Sequence, residues 1–174
     1  MDSNLLIIAI TFAALVAGTL VYLFLKQRRE LKQAQQQGPG HGKDDTATRQ
    51  LQLQAYERLI LLVDRIALPN LIQRISQPEI SAREMQGLLI HTIRQEFEHN
   101  ITQQIYVSAE AWDAVRNYKE QNLLIINQIA SFLPSDATAF DLNKHLLDLL
   151  VQNPKASLQN IVSDALSYEA KKIM

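Results

Sequence analysis

Residues 56–72 read YERLILLVDRIALPNLI, and the spacing of their apolar positions decides the class of fold. Tyr56, Leu59, Ile60, Val63 and Ala67 return every three or four residues, the period that places side chains on one face of an α-helix. A half-buried strand would alternate apolar and polar residues, and from Thr48 onward that alternation is nearly missing. The spacing predicts a first helix over Thr48–Ala67 and a short second one from Pro69 to about Ser76, because proline suits a first helical turn. Leu61 and Leu68 fall opposite the main stripe, among Glu57, Arg58, Asp64 and Arg65. Apolar residues seven apart on a charged face form a candidate partner-contact ridge, although single exposed leucines are ordinary.

Toward the C-terminus the same period continues. Ser81-Ala82-Arg83-Glu84 is a capping box, and the helix it opens carries Met85, Leu88, Leu89, Ile93 and Phe97. The segment Asn100–Val107 is ambiguous, and an extended connector is one reading of it. Ser108 is an N-cap for a helix running to about Leu133, which Pro134 ends. Thr138 or Asp141 starts a leucine-rich helix that stops at Asn153-Pro154, and a last helix runs from about Ser157 to the C-terminus. The expectation for residues 48–174 is a compact bundle of about five helices.

Some polar residues sit inside these apolar faces. On a helical wheel Glu96 falls within the arc of Met85, Leu88, Leu89 and Phe97, while Lys119 and Asn122 fall within the apolar arc of the Trp112 helix. Buried polar groups need partners, so Glu96 and His99 meeting Lys119 or Asn122 in an interhelical polar network is the sharper expectation. A salt bridge at the rim that fixes helix register is the plainer one. His91 and His99 are eight residues apart, too far for one ion, and no HExxH spacing occurs. The chain has no cysteine, which removes thiolate chemistry. No phosphate loop or nucleophile elbow is present, so neither a catalytic residue nor a cofactor or metal is expected.

Working back toward the N-terminus, residues 38–47 form a Gly- and Pro-rich stretch that predicts a flexible linker, preceded by a basic and Gln-rich helix over residues 26–37. Before it, Leu5–Leu25 reads LLIIAITFAALVAGTLVYLFL, 21 residues without a charge. As a helix it is roughly 31 Å long, enough to cross a hydrocarbon core of about 30 Å. A cleaved signal peptide would have a shorter apolar stretch and a basic region ahead of it. Here the basic cluster Lys26, Arg28, Arg29 and Lys32 follows. Basic flanks stay cytoplasmic, so residues 1–4 are expected outside and the helical domain inside. The cluster is also a candidate surface for anionic lipid. Ala9, Ala13, Ala14, Ala17 and Gly18 put small residues at four-residue spacing, a candidate packing face for a homo-oligomer through the membrane helix.

The formal net charge is −1, and from Thr48 onward 12 basic side chains face 14 acidic ones. Nucleic-acid binders show a basic face, so no nucleic-acid partner is expected.

The runs LQLQAYERLILLVDRIALPNLI, SAREMQ, TQQIYVSAEAWDAVRNYKEQN and DALSYEAKKIM resemble an uncharacterised family of small bacterial, Bacteroidota-type proteins with one N-terminal membrane helix and a C-terminal helical domain. The resemblance covers about Leu51–Met174 and implies a bacterial inner-membrane setting, with no activity to carry over. The leading expectation is a non-enzymatic, membrane-anchored module or accessory subunit that contacts the bilayer and a protein partner. The alternatives are an anchored enzyme with a polar site near Glu96, His99 and Asn122, and a sensor of anionic lipid surfaces.

Overall fold

The computed structural model describes residues 44–152 and 158–174. Among them are six α-helices and one 3₁₀ turn: α1 (Asp44–Arg65), α2 (Leu68–Ile75), α3 (Ala82–His99), the 3₁₀ turn Ile101–Ile105, α4 (Ala109–Phe132), α5 (Ala139–Gln152) and α6 (Gln159–Ile173). The all-α class follows from the period of the sequence, and the six α-helices include the short one expected from Pro69 within a bundle of about five. The short segment opened by Pro69 is a helix in its own right, with the proline in its first turn.

Helix α1 packs most extensively on α6 and also touches α2, α3, α4 and the 3₁₀ turn. Because it is covered from several sides, its buried face is wider than one stripe: Ala55, Leu62 and Ile66 are buried beside Tyr56, Leu59 and Val63. Helix α3 lies against α4 and α5, and α4 also meets α6. Leu59, Val63, Ile66, Leu71, Met85, Leu89, Ile93, Val115, Ile126, Leu142, Leu146 and Leu166 have no solvent exposure and form one core drawn from all six helices. Each such side chain contributes about 1.5–3 kcal/mol by leaving water.

Three boundaries differ from expectation. The helix expected from Thr48 already begins at Asp44, so residues 44–47 of the expected linker are helical. No glycine or proline occurs between Gly42 and Pro69, and nothing in the backbone halts the helix sooner. At its other end α1 stops at Arg65, since the chain turns at Ile66–Ala67 to enter α2. Asn100–Val107 is not extended. Gln103 N–H donates to the Asn100 carbonyl and Tyr106 N–H to that of Gln103, both at 3.0 Å, which satisfies the backbone locally as a 3₁₀ turn. The expected membrane helix, basic segment and remaining linker (5–43) lie outside the described residues, as does the expected stop at Asn153-Pro154. Among the described residues no helix is long and apolar enough to cross a membrane.

Helices α3 and α5 start side by side with matching caps. Ser81 Oγ accepts from Glu84 N–H at 3.3 Å, and the Glu84 carboxylate accepts from Ser81 N–H at 2.9 Å. Thr138 and Asp141 repeat the arrangement at 3.3 and 2.9 Å, which settles the start of α5 at Thr138 with an aspartate doing what glutamate does in α3. Between the two caps the main chains exchange a pair of bonds, Ala82 N–H to Ala137 O at 2.9 Å and Ala139 N–H to Ile80 O at 3.0 Å. These cap hydrogen bonds hold the Glu84 and Asp141 carboxyls below the usual carboxylate range. Replacing Ser81 or Thr138 by alanine is expected to cost about 1 kcal/mol each. Urea unfolding of the single variants measures this as a lower midpoint with an unchanged slope.

Candidate functional site

Leu61 and Leu62 lie three and four residues from Arg58, and four and three from Arg65, on one face of α1, and His99 and Asn100 lie three and four residues from Glu96 at the end of α3. The two faces oppose each other across an open groove of about 330 Å³. Glu96, His99 and Leu61, singled out in the sequence for separate reasons, are thus brought together.

The groove is organised by one carboxylate. Arg65 grips Glu96 with two donors, Nε at 2.9 Å and Nη2 at 2.6 Å, and Arg74 of α2 adds Nη2 at 3.2 Å. The guanidinium of Arg65 holds the Glu96 carboxyl below its usual range, against the partial burial that would raise it, and Glu96 in turn raises the pKa of Arg65. A carboxylate fixed in this way is a weak proton acceptor near neutral pH. It pins three helices together at the rim. Half of the Arg65 side chain faces solvent, so the pair is worth less than a buried one, on the order of 1 kcal/mol.

The expected network among Glu96, His99, Lys119 and Asn122 is not the one formed. Lys119 pairs with its neighbour Glu120 at 2.6 Å and lies 4.5 Å from the centre of the Phe97 ring. Asn122 is buried, and its amide donates to the Ile66 carbonyl at 2.9 Å. Pro69 accounts for the bond that Arg74 makes here, and the turn at Ile66–Ala67 for the one to Ile66. Without an N–H at Pro69 the Arg65 carbonyl, four residues back, has no ladder donor, and where the chain leaves the helix at Ile66–Ala67 the Ile66 carbonyl also turns to a side chain. Ile66 receives Asn122, while Arg65 receives the Arg74 guanidinium at 3.3 Å.

Leu61 and Leu68 do not form a ridge. Leu61 is 61% exposed on the groove, whereas Leu68 is 2% exposed and belongs to the core. Their seven-residue relation would need one unbroken helix, and the turn at Ile66–Ala67 redirects Leu68 inward. The basic cluster Lys26, Arg28, Arg29, Lys32 and the small-residue face Ala9, Ala13, Ala14, Ala17, Gly18 lie outside the described residues. Among the described residues no three His, Asp or Glu side chains converge as a metal site would require.

A second polar cluster joins residues that no local pattern connects. Tyr56 Oη and Ser108 Oγ both donate to the same Glu169 oxygen at 2.6 Å, Ser108 N–H donates to Tyr56 Oη at 3.3 Å, and Ser108 Oγ accepts from Ala111 N–H at 3.0 Å. It ties α1, the start of α4 and α6. Burial, reinforced by the Glu169 hydrogen bond, pushes the Tyr56 phenol up to about 12. The Ser108 cap and the burial of Tyr56 are readable from sequence. Glu169 is not, because it lies 61 residues from Ser108 and 113 from Tyr56.

Glu169→Ala strands a buried phenol and is expected to cost about 1–3 kcal/mol, more than the roughly 0.5–1.5 kcal/mol of Tyr56→Phe. Denaturant unfolding of the two variants checks the order. For Glu96, whose folded pKa is lowered, the stabilisation is present above the unfolded value near 4.5 and disappears as pH falls through the folded value. The stability gap between the wild type and Glu96→Gln should therefore be about 1 kcal/mol at neutral pH and close in acid, as unfolding curves across pH 2–7 would record.

No curated protein and no solved structure matches the chain. One family model does, that of a family of unknown function (DUF7935), over residues 2–173. With nearly its whole length matched, the chain belongs to that family of unknown function.

Proposed function

We propose that the chain is a membrane-anchored, non-enzymatic helical module that positions or assembles a protein partner at the cytoplasmic face of a bacterial inner membrane. An accessory subunit of a membrane complex is the nearest form of that reading. The observation that carries it is the division of labour among side chains in the helical domain. Its conspicuous polar groups join helices: Glu96 with Arg65 and Arg74, Glu169 with Tyr56 and Ser108, Asn122 with the Ile66 carbonyl. Several of its large apolar groups face water instead, among them Phe132 at 79%, Val151 at 78%, Ile105 at 72% and Phe140 at 67% exposure. Exposed phenylalanines near both ends of one interhelical turn favour contact with another molecule.

Anchoring rests on the uncharged run Leu5–Leu25 and its basic C-terminal flank, by the length and charge arguments given for the sequence. Two measurements test the proposal. After alkaline carbonate washing the full chain should remain with the membrane pellet, and recovery in the supernatant overturns the anchor. A photo-crosslinking amino acid placed at Phe132 or Phe140 in living cells should give discrete protein adducts. If no position on the exposed apolar surface gives one, the partner-assembling role is wrong.

A further inference from the structure

Helix α5 carries, away from its core face, a second stripe in which Phe140 and Val151 are exposed, Leu147 is half-buried and Lys144 is the one charge. Ala139, Leu142 and Leu146 point into the core, while Phe140, Lys144, Leu147 and Val151 recur at four-, three- and four-residue steps. At about 100° per residue these four positions fall within an arc of roughly 60°. Phe140 is 67% exposed and Val151 78%, Lys144 is exposed, and Leu147 between them is partly covered by the core. This is the spacing with which one helix receives another along a seam. Asp141 and Asp148 lie together along one edge of the stripe, about 80° around the helix from its centre line. Asp141 stays ionised through its cap bonds to Thr138.

We infer that the outer face of α5 is a docking site for an amphipathic helix of a partner protein that carries lysines or arginines along one edge of its apolar stripe. The inference rests on the partner-binding reading above and assigns that partner its chemistry. Charge decides among the occupants. A second copy packed antiparallel about the middle of the stripe sets Asp141 against Asp148 of the copy. A parallel copy sets Lys144 against Lys144. Both bring like charges together on the flanks or in the seam, where they select against pairing. An anionic bilayer surface meets two carboxylates and one ammonium on this helix and is disfavoured as well. A basic-edged helix meets Asp141 and Asp148 with opposite charge, and an acceptor in its own seam can face Lys144.

The test uses the full chain in neutral-lipid nanodiscs and two fluorescent amphipathic peptides with leucine at every seam position. One carries lysine at the edge positions, the other glutamate. Fluorescence anisotropy should show the lysine peptide binding at least about tenfold tighter, a difference that corresponds to about 1.4 kcal/mol. Phe140→Asp should abolish binding with the helical circular dichroism unchanged, because that side chain is already in water. Asp148→Lys, which leaves the stripe intact, should narrow or reverse the preference between peptides. Equal binding of both peptides, or indifference to both substitutions, overturns the inference. So does a dimer of the full chain that Phe140→Asp separates in light scattering, or crosslinking from position 140 to lipid alone. Protein adducts from position 140 combined with no lysine-peptide preference would sink the basic-helix assignment and leave the partner-binding role standing.

Discussion

A proline cannot give the N–H that an α-helix needs four residues back, and at Pro69 that missing donor, with the turn at Ile66–Ala67 before it, ends one helix and shapes how the others meet it. The Ile66 carbonyl left over there is buried, where an unpaired oxygen costs about 1–3 kcal/mol, while that of Arg65 lies at the surface. Asn122 reaches Ile66 from α4, and Arg74 returns to Arg65 from α2. Once Arg74 is there, it and Arg65 converge on Glu96 of α3. Four helices are thereby located with respect to a single break in the ladder, and the groove between α1 and α3 follows from their placement.

Legibility in the sequence follows the range of the interaction. Helix class, the Ser81–Glu84 box and the Ser108 cap are local and were readable, because each depends on residues within a turn or two of one another. The polar position of Glu96 within an apolar face was also visible, and so was its rim character. Its partners were not, since Arg65 and Arg74 look like ordinary charges on solvated faces until α1 and α2 are folded back on α3. Asn122 was recognised as needing a partner, and that partner turned out to be a backbone oxygen, which no side-chain pattern advertises. The 3₁₀ turn after α3 is hidden for a related reason: Asn100–Val107 lacks a period, and it is the backbone bonds Gln103 to Asn100 and Tyr106 to Gln103 that coil it. The apparent seven-residue pairing of Leu61 with Leu68 failed because a wheel assumes continuity through a turn that interrupts it.

The domain uses its polar side chains chiefly to hold helices in register and leaves aromatic and aliphatic ones at the surface. At the α1–α3 groove the carboxylate is occupied by two arginines. At Glu169 one oxygen serves a phenol and a hydroxyl, with the serine also accepting a main-chain N–H. Helix α5 is the clearest exception to inward orientation, since it offers apolar residues on both its faces.

The paired starts of α3 and α5 carry a constraint of their own. Two connecting segments, one after α2 and one after α4, set Ser81 opposite Thr138 through main-chain bonds made by the residues on either side of each, and in each segment the residue so placed is also the cap of the helix that follows. An extra residue between Ile80 and Ala82, or between Ala137 and Ala139, would slide a donor and an acceptor out of step and leave a helix end bare in the same event. These connections, though at the surface, have almost no freedom to change length, and insertions that other surface loops absorb would have to go elsewhere.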